Sequence, residues 1–426
     1  MPHDQDDALA EALAKAGLSA VQPGGQSDDD PLARAFAAAG LAAPAPEPDD
    51  PIEEALAELS KPASGPNSVV DRPSAAEGDP DPLPRWPDGV ATGLGAMPGT
   101  DPREAAAIVV GEVPLMPALP ELPARGVGAD LIGRTAALLV DLAVELKVAR
   151  YTVAAHSGRD QRRAIDLLRS DMDAFDEACD PVRPAWVKVA AAGPWTLVAA
   201  VELATGHRVI TDRGAVREFT ESLVEGLRQH VTEVAARSGA TVVVQLDEPG
   251  LPAVLAGSLR TPSGYGTVRT IPEVEAQDVL REVVEALTEV GAPVVVHCGA
   301  DRPPLRVLSG IGAAALGIDA TLPSVAGSTA QVAALDAVGE VWDADIPLFM
   351  GLVPARDPGR PVTSRQLAQP AFDLADRLGF DRARLAGLAV PTPTAGLAGA
   401  DPDWARRALE LSRELGAAFV DPPDTE

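Results

Sequence analysis

Cysteine is almost missing from this 426-residue chain: Cys179 and Cys298 are all it has. Two thiols cannot build a disulfide framework, so a small cross-linked scaffold is excluded. Aromatic residues are also scarce, at 3 %, and core volume has to come from Ala, Val and Leu. Positive charge is in deficit, with 35 Lys and Arg against 63 Asp and Glu and a net of -28. That balance argues against nucleic acid as a partner, because phosphate needs a cationic face, and equally against docking on an anionic membrane. No apolar run approaches the ~18 residues of a spanning helix, and the first 25 residues lack the basic and then apolar pattern of an export signal. The expectation is a soluble, cytoplasmic protein.

The composition shifts near residue 88. Met1–Asp88 holds 18 Asp and Glu against 5 Lys and Arg, and Pro, Asp, Ser and Ala dominate from Ser60 onward. Such a stretch has little to bury and is expected to be a disordered acidic tail, residues 1–88. Within it a pattern recurs three times, at residues 6–18 (DDALAEALAKAGL), 29–41 (DDPLARAFAAAGL) and 49–59 (DDPIEEALAEL). Each copy opens on an Asp pair suited to capping a helix, and two place Pro at the first helical position. Apolar residues follow four apart, as Leu9 and Leu13, Leu32 and Phe36, and Ile52 and Leu56. These are short amphipathic helices, too short to stand alone in water. They read either as duplicated Ala-rich sequence or as tandem docking elements that order in the groove of an unidentified protein partner.

From residue 89 to 426 apolar β-rich runs alternate with helical stretches. Strands are expected to start near Val90, Val148, Val187, Val242, Val294, Ala314, Pro347 and Leu385, with helices at Thr135–Lys147, Val216–Arg237, Val274–Val290 and Asp403–Leu415. Near-continuous apolar strands between helices imply a parallel sheet buried on both faces. Eight units in this length fit an α/β fold of the (β/α)8 barrel type, whose chemistry lies at the C-terminal strand ends. The polar residues gather at those ends, in QLDEPGLP (Gln245–Pro252), HCGAD (His297–Asp301), GIDA and PTPTAG.

Two adjacent acids straight after an apolar strand, Asp247 and Glu248, are costly near a core unless they bind something, act in proton transfer or cap the following turn. They point opposite ways on a strand, so at most one faces the barrel mouth. Gly93-x-Gly95 has the wrong spacing to Gly99 for a dinucleotide fingerprint, and no Gly-x-Ser-x-Gly elbow occurs.

These segments, in this order, resemble the C-terminal catalytic barrel of the cobalamin-independent methionine synthases, a family within the superfamily of uroporphyrinogen decarboxylase and the corrinoid methyltransferases. TGLGAMPGTD (Thr92–Asp101) is similar to the opening strand and its Gly-Ser turn. AGPWTL (Ala192–Leu197), the DEP strand, VVVHCGAD, LGIDA and VPTPTAGL (Val390–Leu397) follow in register. The resemblance implies a methyltransferase that moves a methyl group to a homocysteine-like thiol, a small-molecule substrate. It also implies zinc, which in that family turns the thiol into a thiolate.

The implied substrate residues are Asp247, for the amino group, with Glu248 beside it, and the turn Gly95-Ala96, for the carboxylate, where Ala96 replaces the hydroxyl. Asp101 to Glu104 has capping-box spacing and would bring a helix N-terminus near that anion. Trp195 or Trp186 would offer a face to a pterin, unless each is a core residue. The family's second amine-binding Glu has no counterpart in the pattern. The implied metal ligands are Cys298, His297 and Asp319. Aligned on Cys298, Val296 falls at the histidine position and His297 is one residue out of phase, while Ala395 stands in place of the last cysteine. The methyl donor is unspecified. The alternative to a working enzyme is a barrel that has lost metal catalysis and serves as a scaffold docked through its tail.

Overall fold

The computed structural model describes residues 85–261, 265–322, 325 and 332–422, so the three tail repeats lie outside the described residues. Six strands form one curled parallel sheet in chain order: β3 (Trp186–Ala192), β4 (Thr241–Asp247), β5 (Val294–His297), β6 (Ala315–Asp319), β7 (Leu348–Val353) and β8 (Ala389–Pro393). They are preceded by a separate antiparallel hairpin, β1 (Ala143–Lys147) and β2 (Arg150–Ala154). Helices cover the outer face. The N-terminal ones are α1 (Pro102–Glu112), α2 (Leu131–Ala136), α3 (Arg159–Cys179), α4 (Pro194–Ala200) and α5 (Arg213–Ser238). Then come α6 (Leu251–Ala256), α7 (Glu273–Thr288), α8 (Leu305–Ser309), α9 (Val332–Asp343), α10 (Ser364–Leu378), α11 (Leu385–Leu388) and α12 (Pro402–Val420).

The strands are apolar on both sides because both sides are covered, as a parallel sheet requires. One side chain of each adjacent pair meets the helices: Val244, Leu246, Val296, Leu316 and Leu352 all lie in the layer between sheet and helices. The other faces the barrel interior. Val90, Met116, Trp186, Val243, Val295, Ala315, Phe349 and Val390 form one closed apolar cluster there, with Trp86 packed beneath it. Trp86 meets Trp186 and Phe349 edge to face, at centroid distances of 6.2 and 5.4 Å. This cluster is the barrel floor, at the N-terminal ends of the strands.

The floor takes one residue from each of eight positions around the barrel, although only six are regular strands. The first two positions are irregular segments that still pair. Thr92 donates its N–H to the Pro391 carbonyl (3.3 Å), closing the ring against β8. On the other side Lys188 donates to Pro117 O (2.9 Å) and Leu119 to Lys188 O (2.8 Å). Met97 and Glu121 N–H groups join the two segments to each other, at 2.8 and 3.0 Å. The second position contains Pro117 and Pro120 and is flanked by Pro114 and Pro123; proline cannot donate to a ladder, which is broken into single bonds.

The second barrel position is therefore residues 116–121, not the run near Val148. Val148 and Ala149 form the two-residue turn of the β1–β2 hairpin, both at positive φ (47° and 64°), the geometry such a turn demands. Val148 is 96 % exposed. The helix expected over Thr135–Lys147 likewise divides into the end of α2 and strand β1. The other three expected helices coincide with α5, α7 and α12. Among the described residues no helix is long and apolar enough to cross a membrane.

Candidate functional site

Above the floor the interior turns polar. Thr92, Lys188, Gln245, His297 and Thr392 are all buried, and each lies two residues beyond a floor position on its own strand, the period that keeps a side chain on one face. Asp247 follows Gln245 by the same step, at the C-terminal end of β4. A hydrogen-bonded chain runs through this layer. Lys188 Nζ donates to Gln245 Oε1. The Gln245 amide group donates to Leu94 O (3.2 Å) and to Asp247 Oδ1 (2.9 Å). His297 Nδ1 meets the same Oδ1 at 2.7 Å. Because Lys188 has only donors, it fixes the Gln245 amide with its NH2 toward Asp247. Both hydrogen bonds of the Asp247 carboxylate end on Oδ1, and none ends on Oδ2.

Glu121, from the second barrel position, completes the group. Its carboxyl is buried, pushed up to about 7 by desolvation with the nearby Asp247 charge adding to the rise, while Arg134 and Lys188 oppose it. Oε1 has no hydrogen-bond partner, and Arg134 Nε lies 3.8 Å away. Burial lowers Lys188 to about 8, and Asp247 and Glu121 pull the other way. Arg134 also binds Asp171 Oδ2 at 2.5 Å, and Arg125 binds the same atom at 2.6 Å. Neither Glu121 nor Lys188 was expected from sequence. Lys188 had a signal, as the one charged residue inside VKVAAAG; Glu121 had none, set among prolines.

Several sequence-based expectations meet a different geometry. Glu248 points away from Asp247. Its Oε1 accepts from Trp195 N (2.9 Å), and Oε2 from Thr196 N (2.8 Å) and Thr196 Oγ1 (2.7 Å). It therefore caps α4, the helix opened by Pro194, and both oxygens are spent. Gly95 and Ala96 lie beside the site, Gly95 at φ 106°, where an added Cβ would stand 3.3 Å from the Glu121 carboxyl. Asp101 turns its own carboxylate onto the N-terminus of α1, accepting from Arg103 N (2.9 Å) and Glu104 N (3.4 Å), so those N–H groups are not free for a substrate anion. Trp195 is a core residue whose Nε1 donates to Ala276 O (3.1 Å). Trp186 is in the floor.

The metal ligands change phase. His297 faces the interior, whereas Cys298 belongs to the apolar layer between sheet and helices. Burial pushes that thiol up to about 12, far from a ready thiolate. By strand alternation the interior residue after His297 is Gly299, and a Cβ built there would stand 3.3 and 3.4 Å from His297 Cε1 and Nε2. The histidine is thus in phase, and the position two residues on carries no side chain. Asp319 ends β6 two residues beyond Gly317, the residue paired with His297, and burial raises its carboxyl above the usual range. Its Oδ1 accepts from Thr321 N (2.9 Å) and Oγ1 (2.7 Å). Among the described residues no three His, Cys, Asp or Glu side chains converge on one point. Zinc needs at least three protein ligands, and these residues do not fit it.

The fold and the site define an α/β barrel with a closed apolar floor and a carboxylate-bearing mouth at the C-terminal strand ends. The chain belongs to the family described as cobalamin-independent synthase, catalytic domain, which matches residues 90–418. Among solved structures it is similar to a B12-independent methionine synthase from Shewanella sp. W3-18-1, determined with selenomethionine. The identity is 11 %, covering 78 % of this chain and 98 % of that one with a TM-score of 0.47. It is also similar to a xylose isomerase-like TIM barrel protein from Mycobacterium smegmatis, at 11 % identity over 79 % of this chain and 96 % of that one, TM-score 0.36. An orotidine 5'-phosphate decarboxylase of Xanthomonas axonopodis pv. citri (strain 306) is 30 % identical over 181 residues, which is 38 % of this chain and 70 % of that protein.

Proposed function

We propose that this protein is a methyltransferase of the methionine-synthase type that takes an amino-acid thiol of the homocysteine kind as acceptor. One observation carries the reading. Asp247 Oδ2 and Glu121 Oε1, which accepts no hydrogen bond, belong to two buried carboxyls that feel each other's charge at the barrel mouth. An ammonium group between them would relieve that repulsion and supply the missing hydrogen bond. The acceptor's amino group is then held at the second and fourth barrel positions, with its thiol projecting toward His297. In the reaction the sulfur forms a bond to the methyl carbon, the methyl–donor bond breaks with its electron pair leaving on the donor, and the thiol proton passes to that donor atom. The donor itself is open.

Calorimetric titration of the full chain with homocysteine, and methionine formation from candidate donors, test the reading. Asp247→Asn and Glu121→Gln should each cost about 1.5–3 kcal/mol, roughly tenfold to a hundredfold in affinity. A folded wild-type protein indifferent to homocysteine and to other amino-acid thiols would sink it. A second reading, the barrel as a scaffold, is favoured by the misfit to zinc. A protein that binds the thiol yet methylates it with no donor would move the balance that way.

A further inference from the structure

We infer that Gly299 is the residue that keeps this barrel free of zinc: the mouth holds a two-donor arrangement one side chain short of a metal site. The inference concerns metal content and stands whether or not a thiol is methylated. The imidazole of His297 is oriented as a metal-binding histidine is. Its Nδ1 is held by a carboxylate, at 2.7 Å from Asp247 Oδ1, which turns Nε2 outward. A carboxylate behind the far nitrogen is the usual support for a ligating imidazole. That carboxylate is itself fixed by Gln245, and Gln245 by Lys188. Asp319, two residues beyond Gly317, the β6 residue paired with His297, supplies a second donor group on the same face. At position 299 there is no donor, and its missing Cβ would lie 3.4 Å from Nε2, beside the lone pair that would meet an ion.

Two features make the position addressable. Gly299 is not at positive φ, so a side chain costs no left-handed strain. The close contacts of its added Cβ are with the edge of a ring, which can give by a few tenths of an ångström. Cys298 cannot substitute, since alternation sends it to the helix side of the sheet.

The experiment compares full-length wild type with Gly299→Cys, Gly299→Ala and the double variant Gly299→Cys/His297→Asn. Each is equilibrated with zinc, desalted and analysed for metal. A parallel cobalt titration reports tetrahedral thiolate ligation by its visible and near-ultraviolet bands. The Gly299→Cys chain should retain about one ion per chain, as a three-ligand site does. Wild type and Gly299→Ala should retain none, and the double variant should lose what the single one gained. Stoichiometric zinc in wild type that His297→Asn releases would overturn the inference. So would a folded Gly299→Cys that binds no more zinc than Gly299→Ala. If the thiol variant does not fold, Gly299→Asp offers a hard oxygen donor at the same position, and its zinc content decides in the same way.

Discussion

Glu248 spends both carboxylate oxygens on the start of α4, and the burial this entails raises its pKa from 4.5 to about 7. Glu121 is raised to a similar value for the same leading reason. Between these limits the folded chain keeps protons that the unfolded chain has released. Their contribution to stability is therefore complete below about 4.5 and declines as pH rises through 7. Lys188, lowered from 10.5 to about 8, works oppositely, because the unfolded chain binds its proton more tightly. Its contribution improves from pH 8 toward 10.5. Thermal unfolding of wild type against Glu248→Gln across pH 5 to 8 should show the gap between them narrowing as pH rises, since the amide mimics the protonated acid. A gap independent of pH would contradict the assignment. At this scale the sequence was half legible. Asp247 stood out because two acids end an apolar strand. That His297 and Cys298 face opposite sides follows from their adjacency on a strand, but which of the two faces inward depends on the strand's phase in the barrel, which the local sequence does not carry.

Elements in this barrel are tied by side chains that reach from one to another. The N-terminus of α3 shows it best. Its N-cap is Gly158, which has no side chain to offer. Glu145 of the β1–β2 hairpin fills the role, accepting from Gly158 N at 2.6 Å and Asp160 N at 3.2 Å. The hairpin is thereby clipped to a 21-residue helix. Glu145→Ala should lower stability by about 1 kcal/mol, the usual worth of a cap, and should speed amide exchange in the first turn of α3 without altering the mouth. Exchange unchanged there would show the clip to be idle. None of this was readable from sequence, where Glu145 and the helix are separated by the hairpin turn and strand β2 and the natural N-cap position holds Gly. The same limit hid the second barrel position, residues 116–121, while the first was expected from the run at Val90. Periodicity finds strands that are long and regular, such as β3 and β4, but not segments of Gly and Pro that join the barrel by single bonds.

For the whole molecule, the alternation of apolar runs and helices was enough to give the barrel, and the family match over residues 90–418 covers the same region. The division into an acidic tail, 1–88, and a barrel, 89–426, is a proposal with a direct test. Deleting Met1–Ser60 should leave the thermal midpoint within about 2 °C of wild type, less than ~1 kcal/mol at this size. A larger fall would mean that the tail packs on the barrel. The floor built by Trp86, Trp186, Phe349 and their apolar neighbours has a kinetic meaning. A barrel stoppered at one end has a single doorway, so two reactants must pass through it one after the other. In the proposed reaction the acceptor held at Asp247 and Glu121 would therefore enter first and leave last, with the methyl donor following it through the same opening.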